Sequence, residues 1–395
     1  MEQTNQNPVQ VVTVKHKIPL FKGEEQANAI ELIQLTELGY EVVAQKDLYQ
    51  IGDKAVFIEP DYSIPDTKLF ESYIRPQGDP KKTRLGSNNR IRAIKFNLHR
   101  GDDMPTYSQG ILLPLEVVQS YCFGTVSGQV EYYLRNIDLM KTLEITKWEA
   151  PDENQKGSVK GGNSKPFPTG MYKTDETNVN KLWGKLQFPM SLVVTKKKDG
   201  SSVSIYYKNG KYGICSRNLE KPLYIQKVVG QRNKTFLEKI LFWKKFNPYI
   251  YEEVLNDSDF VKVGKKYLDR LVEYCEDNRG QCLVLRGELI GQGSKGSGNK
   301  NNPDAKGSPD IHFYGADLYY NISEKLEENG FKFLCQHLGL TRCDIVFEET
   351  FDSKEHLQQT CDKYFKDNMI EGLVARTYDS KISMKIMNPE YDSKK

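Results

Sequence analysis

The chain of 395 residues has room for two or three domains and a sizeable core, and 38% hydrophobic against 28% charged residues suits a soluble protein with much polar surface. No apolar run approaches a membrane span, and the Met1-Glu2-Gln3-Thr4 start lacks the profile of a signal or transit peptide, so an intracellular location, cytoplasmic or nuclear and off the membrane, is expected. The 56 basic and 53 acidic residues leave a formal charge of only +3, so bulk charge announces no nucleic-acid binder and any such role rests on local patches.

Residues 10–122 read as β-rich. Val11–Val14, Ile30–Leu35, Tyr40–Val43, Ala55–Ile58, Arg90–Phe96 and Ile111–Leu115 are the strand candidates, several alternating apolar with polar and bounded by Gly, Asp, Asn or Pro. A small closed barrel of the OB type is the economical architecture, because closure hides strand edges in about a hundred residues. Arg90, Arg92 and Lys95, with Lys81, Lys82 and Arg84 before them, form the best local basic patch. Beside Tyr73, Phe96 and Tyr107 it could hold phosphates and stack bases, or it could be an ordinary charged outer face.

Residues 123–147 carry Tyr132, Tyr133, Leu134, Ile137, Leu139 and Leu143 at roughly helical spacing, a connector or packing helix. The Gly, Ser, Asn, Lys and Pro-rich stretch that follows is the plainest linker. The expected organisation is an N-terminal domain over 8–148, a linker over 149–168 and a second domain over 169–395, with a helical insert at about 220–280. In the second domain, Asp175 or Thr174 could cap a helix. Val193–Lys197 reads as a strand, Asp199-Gly200 as its turn and Ser202–Tyr207 as the returning strand. Strand alternation then separates Lys197 from Lys196 and Lys198, singling out one lysine for a pocket. Asn209-Gly210 is a strong hairpin signal. Phe236-Leu237-Ile240-Leu241 and Leu268-Leu271-Val272-Cys275 have helical spacing. The loop of residues 291–309 could cradle phosphate or simply be mobile. The seven cysteines lack Cys-x-x-Cys spacing, and Cys335-x-His337 with Cys343 lacks a fourth zinc ligand, which favours reduced, buried thiols.

Four elements occur in order: Lys197-Lys198-Asp199-Gly200, Ser216-Arg217-Asn218, Arg286-Gly287-Glu288-Leu289 and Glu371-Gly372-Leu373-Val374-Ala375-Arg376, followed by Ser383-Met384-Lys385. This series resembles motifs I, Ia, III, IV and V of the covalent nucleotidyltransferases, the polynucleotide ligases and mRNA capping enzymes. Lys173-Thr174-Asp175-Glu176 upstream, with Gly52–Asp61 and Ser108–Leu115 in front, is similar to the fifth family of ATP-dependent RNA ligases, which place an OB domain before the catalytic domain. The resemblance covers nearly the whole chain apart from the termini, linker and insert. It implies an α+β fold, with an OB-type barrel followed by a nucleotidyltransferase domain with an ATP-grasp-like antiparallel sheet.

The resemblance further implies a ligase that joins 3′-hydroxyl and 5′-phosphate ends of RNA, at nicks in RNA or RNA/DNA duplexes, through lysyl-AMP and AMP-polynucleotide intermediates. Its cofactors are ATP and Mg²⁺ or Mn²⁺, and its expected use is RNA repair, with a monomer as the default state. Lys197 matches the nucleophile, whose amine must lose its proton from a free pKa near 10.4. Asp199 and Glu371 match carboxylates that hold the metal through its water. Arg217 and Lys385 match phosphate contacts, Glu288 the ribose contact, and Lys173 and Thr174 belong to the nucleotide-binding set. Tyr314 is either an adenine-stacking ring or a core tyrosine. Arg90, Arg92 and Lys95 are the nucleic-acid candidates. Taken singly, Arg217, Glu288, Glu371 and Lys385 also read as surface salt-bridge partners. Four residues depart from the pattern: Ser383 replaces a frequent lysine, Ala316 an aromatic before Asp317, Lys196 a frequent glutamate, and Asn178 an arginine. The alternatives are a capping guanylyltransferase, which usually carries its OB domain after the catalytic one, and an inactive OB-containing nucleic-acid binder.

Overall fold

The computed structural model describes residues 7–101, 105–124, 130–148, 164–173, 175–231, 233, 249–292, 301–319 and 325–394. Its first half is built on one long strand, Val9–Lys22. Val9 to Thr13 pair with Lys54–Ile58, and Val14 to Lys22 pair with Glu25–Leu35 on the other side. The strand shifts register around Pro19, where a residue without an N–H fits an irregular ladder. Val9 and Val11 enter one core with Ile58, Phe70 and Leu134, while Val12 and Val14 enter another with Ile33, Tyr40 and Phe57. Both faces are therefore covered, and the sequence there is nearly continuous in valine.

The sheet has seven strands, with Glu41–Gln45 at one end of the main path and Ile111–Pro114 at the other, and with Ile94–His99 and Pro105–Ser108 off that path. Among the described residues no strand ladder closes it, which corrects the closed OB-type barrel expected from the sequence. Between Glu41–Gln45 and Pro105–Ser108 a side chain intervenes: Ser108 Oγ accepts the Val43 N–H at 3.0 Å, and Gln109 N–H reaches Glu41 O at 2.8 Å. A hydroxyl takes the place of the backbone acceptor, so the edges meet without forming a continuous ladder.

The second half holds two larger sheets. One runs Lys165–Pro166, Leu219–Lys221, Lys211–Cys215, Ser201–Lys208, Leu283–Ile290, Asp310–Leu318; the other runs Thr177–Asn178, Ser383–Met387, Gly372–Thr377, Met190–Lys197, Ile345–Phe351. The lysine strand and the strand after it thus lie in different sheets. Asp199-Gly200 is a crossing between sheets and not the hairpin turn expected from sequence. Gly200 is required there because a Cβ would come within 2.4 Å of Leu289 O. Asn209-Gly210 does form the expected two-residue hairpin, joining Lys208 to Lys211 with φ of 46° and 74°.

The stretch expected as a helical insert is mixed. Tyr224–Gln231 and Tyr249–Leu255, rich in β-branched and aromatic residues, pair as a two-stranded arm, and Phe236-Leu237-Ile240-Leu241 lies outside the described residues. Asp259–Asp277 is an amphipathic helix whose Val261, Gly264, Leu268, Leu271 and Cys275 are buried. Leu268 and Leu271 pack with Ile205, Ile214 and Leu285 of the first large sheet. Leu271 is fully buried, so Leu271→Ala is expected to destabilise the protein by about 2–5 kcal/mol, read as a lowered urea midpoint.

Candidate active site

The crossing at Asp199-Gly200 puts the end of the lysine strand in the seam between the two large sheets. Lys197 is paired in register with Gly372, which brings Glu371 beside it, and Lys197 Nζ donates to Glu371 Oε2. Lys196 and Lys198 point away together and both reach Asp344, at 3.4 Å each, while Lys198 also meets Asp304 at 3.2 Å. Strand alternation has separated one lysine from its two neighbours. The Lys197 side chain is 26% exposed, so the amine is lodged among acids yet open to the cleft.

Three carboxylates face that amine. Asp199 and Glu371 are buried, and Glu288 comes from the opposing sheet, where it pairs in register with Ser202. Burial disfavours charge on Lys197, but Glu371, Glu288 and Asp199 outweigh it and hold the amine above the ordinary lysine range. Burial pushes the Glu288 carboxyl up to about 8, with Lys197 opposing and Glu371 and Asp199 adding to the rise. The Tyr391 hydroxyl donates to Asp199 Oδ2 at 2.7 Å, and burial and then Asp199 hold that phenol well above its usual range. Among the described residues no three acids stand close enough to chelate a metal directly. The excess of hard oxygen donors fits a divalent cation that keeps its waters and is held through them.

A second cluster lies alongside. Asp175 receives Lys147 at 3.0 Å, Lys385 at 3.3 Å and Arg217 at 3.5 Å. Burial alone would raise this carboxyl, but Lys385, Lys147 and Arg217 hold it well below the usual carboxylate range. Three cations converging on one small anion can equally converge on a phosphate. Lys173 donates to Asn218 at 2.8 Å, next to Arg217. Thr174 lies outside the described residues. Tyr314 is half-buried under the Arg376 guanidinium, 5.3 Å from its ring centre.

A sequence model of the family described as RNA ligase matches residues 190–387, half of the chain, including Lys197, Asp199, Glu288 and Glu371. The chain belongs to the RNA ligase family. No curated protein sequence matches it. Among solved structures, the Naegleria gruberi RNA ligase with pyrophosphate is similar at 22% identity and a TM-score of 0.66, covering 98% of each chain. A mutant of that enzyme with ATP and manganese matches at 22% identity and 0.67, covering 98% of each, and another with AMP and manganese at 21% and 0.67, covering 99% of each. At these identities the likeness is one of fold, and it extends across both halves of this RNA ligase.

The four departures from the motif pattern each have a structural setting in this ligase. Ser383 Oγ accepts from Arg376 Nε at 3.1 Å, so a cation from the neighbouring strand reaches that position; Arg376 also meets Glu176 at 2.7 Å. Lys196 pairs with Asp344, and Ala316 is core. Asn178 caps the helix Val179–Leu182 through the Asn180 N–H, so Asp175 is not its cap, and Thr174 lies outside the described residues.

The expected basic patch is largely committed elsewhere. Arg90 pairs with Asp61 and Asp392 and lies 4.3 Å from the Trp148 ring centre. Lys95 meets Glu390 at 3.2 Å. Of the three named cations, Lys95 is the exposed one, while Arg92 is half-buried, its Nε donating to Arg84 O at 3.1 Å. Sequence reasoning missed Lys147, Tyr391 and the gathering role of Asp175, because no motif spacing points to them.

The raised Glu288 carboxyl yields a pH test. Between its unfolded value near 4.5 and its folded value near 8 the native state binds the extra proton, so stability falls as pH rises through that window. Glu288→Gln removes this loss. Its melting temperature in the absence of nucleotide should exceed wild type by roughly 2–8 °C at about pH 8.5 and by little near pH 5, measured by calorimetry.

Proposed function

We propose that this ATP-dependent RNA ligase joins a 3′-hydroxyl to a 5′-phosphate, at nicks in duplexes whose 3′ side is RNA, with Lys197 as its nucleophile. The observation that carries this reading is an accessible amine at the end of a strand, set against Glu371 and between Asp199 and Glu288. The Lys197 lone pair attacks the α-phosphorus of ATP, a P–N bond forms, and pyrophosphate leaves with the electrons of the broken P–O bond. An RNA 5′-phosphate oxygen then attacks the same phosphorus and returns the amine. Finally the 3′-hydroxyl attacks the 5′-phosphorus of the activated end, making the phosphodiester and releasing AMP.

The chain's residues have distinct tasks in this scheme. Glu371 and Asp199 hold the amine and, through water, a divalent cation; such a cation supplies positive charge that lowers the amine's proton affinity and offsets phosphate charge. Arg217 and Lys385 leave Asp175 for the phosphates, Glu288 accepts from the ribose, and Lys173 lines the nucleotide's approach. Tyr314 offers a face to adenine. The N-terminal half acts as an opened OB-type module that grips the duplex, with Arg92 and the exposed Lys95, beside Arg90, as its contacts to the backbone. The Naegleria structures with ATP, AMP, pyrophosphate and manganese support the nucleotide and metal parts of this reading, and the motif series supports placement in the fifth RNA ligase family.

Incubation with α-labelled ATP or GTP and Mn²⁺ tests it. Wild type is expected to take covalent label from ATP and to seal nicked RNA duplex, and Lys197→Ala to take none. Label from GTP alone would instead indicate capping, and no label from either an inactive binder. Arg217→Ala and Lys385→Ala should each lower the labelling rate by roughly 10²-fold or more, as expected when a preorganised donor to a reacting phosphate is removed; rates within twofold of wild type would remove them from the phosphate site.

A further inference from the structure

The helix Pro389–Ser393 lies beyond the last sequence motif and touches both Asp199 and the N-terminal half. Asn388 starts it, accepting from the Glu390 and Tyr391 amides at 3.0 and 3.4 Å, with Pro389 in the first turn. The Asn388 N–H donates to Glu371 O at 3.0 Å. One turn on, fully buried Tyr391 donates its hydroxyl to Asp199 Oδ2 at 2.7 Å. A five-residue helix thus grips the backbone of one active-site carboxylate residue and the side chain of another.

The two residues flanking Tyr391 face the other way, into the N-terminal half. Glu390 meets Lys95 at 3.2 Å and the Tyr107 hydroxyl at 3.2 Å. Asp392 meets Arg90 at 3.4 Å and accepts the Ala93 N–H at 2.9 Å. Arg90 is itself fixed by Asp61 and by stacking on Trp148. The N-terminal half therefore holds both neighbours of the tyrosine that holds Asp199.

We propose that Tyr391 is a positioning residue that fixes the Asp199 carboxylate toward its water-held cation, and that the helix carrying it transmits the seating of the N-terminal half to that carboxylate. The proposal rests on the ligase reading above. A carboxylate with one oxygen fixed by a neutral donor keeps its charge and loses its freedom to rotate, so the other oxygen presents one geometry to the cation's waters. Outer-sphere partners of this kind typically affect metal affinity by 10–100-fold.

The test measures Mn²⁺ binding directly, by the paramagnetic resonance signal of free Mn²⁺ titrated with protein and α,β-methylene ATP, alongside labelling from ATP. Tyr391→Phe keeps the ring and removes the hydroxyl; it is expected to weaken Mn²⁺ binding by roughly tenfold, with the Mn²⁺ needed for half-maximal labelling rising in step and excess Mn²⁺ restoring label. Asp392→Ala, which frees the helix from Arg90 and Ala93, should shift both curves in the same direction. If wild type takes label from ATP and the Tyr391→Phe binding curve superposes on it, the positioning role falls while the ligase reading stands. If Tyr391→Phe loses cooperative melting, Asp392→Ala decides: a weakened Mn²⁺ curve supports the linkage, and an unshifted one overturns it. If wild type takes no label, both fall.

Discussion

A lysine ammonium lodged against three carboxylates is the interaction around which this molecule is arranged. At an effective dielectric of about 20, two unit charges about 4 Å apart interact by about 4 kcal/mol, so the Lys197 proton is held firmly by Glu371 and its neighbours. The nucleophile's role proposed for Lys197 needs the opposite condition. The acids that hold the amine charged are also the groups that attract a hydrated cation, and the arrival of positive charge reverses the balance. On the proposed reading, one cluster both stores the lysine in an inert form and provides the means of activating it.

The sheets exist, in this view, to keep that cluster together. Glu371 enters next to a strand paired with the lysine strand, while Glu288 enters from the sheet across the seam. Asp199 sits on the three-residue crossing between them, and Gly200 lets the chain pass tightly against Leu289 O. No single strand supplies more than one of these acids. The site therefore depends on two separately packed cores, one around Ile205 and Leu285 and the other around Leu192 and Val194.

Much of this was legible in the sequence because the information was local. Alternation alone separates Lys197 from Lys196 and Lys198, and the motif series names the acids that surround it. What stayed hidden depends on partners distant in the chain. Asp199-Gly200 looks like a turn unless the sheet membership of the next strand is known, and the barrel fails to close at a Ser108 hydroxyl that no strand pattern reveals. Arg90 and Lys95 have the composition of a phosphate-binding surface, yet each meets an acid far along the chain, Asp392 at 302 and Glu390 at 295 residues' separation. Tyr224–Gln231 and Tyr249–Leu255 fall in a stretch whose middle has helical spacing, although their own residues favour strands.

Asp175 bears on ionic strength. Three free cations would attract any polyanion strongly, with an affinity that falls steeply as salt is added. Here the three already share an internal counterion, so an incoming phosphate exchanges one carboxylate for another anion and releases fewer bound ions to the solvent. With the phosphate contacts proposed above, affinity for triphosphate is accordingly less sensitive to added salt than the count of positive side chains suggests, and stray inorganic anions gain little by entering.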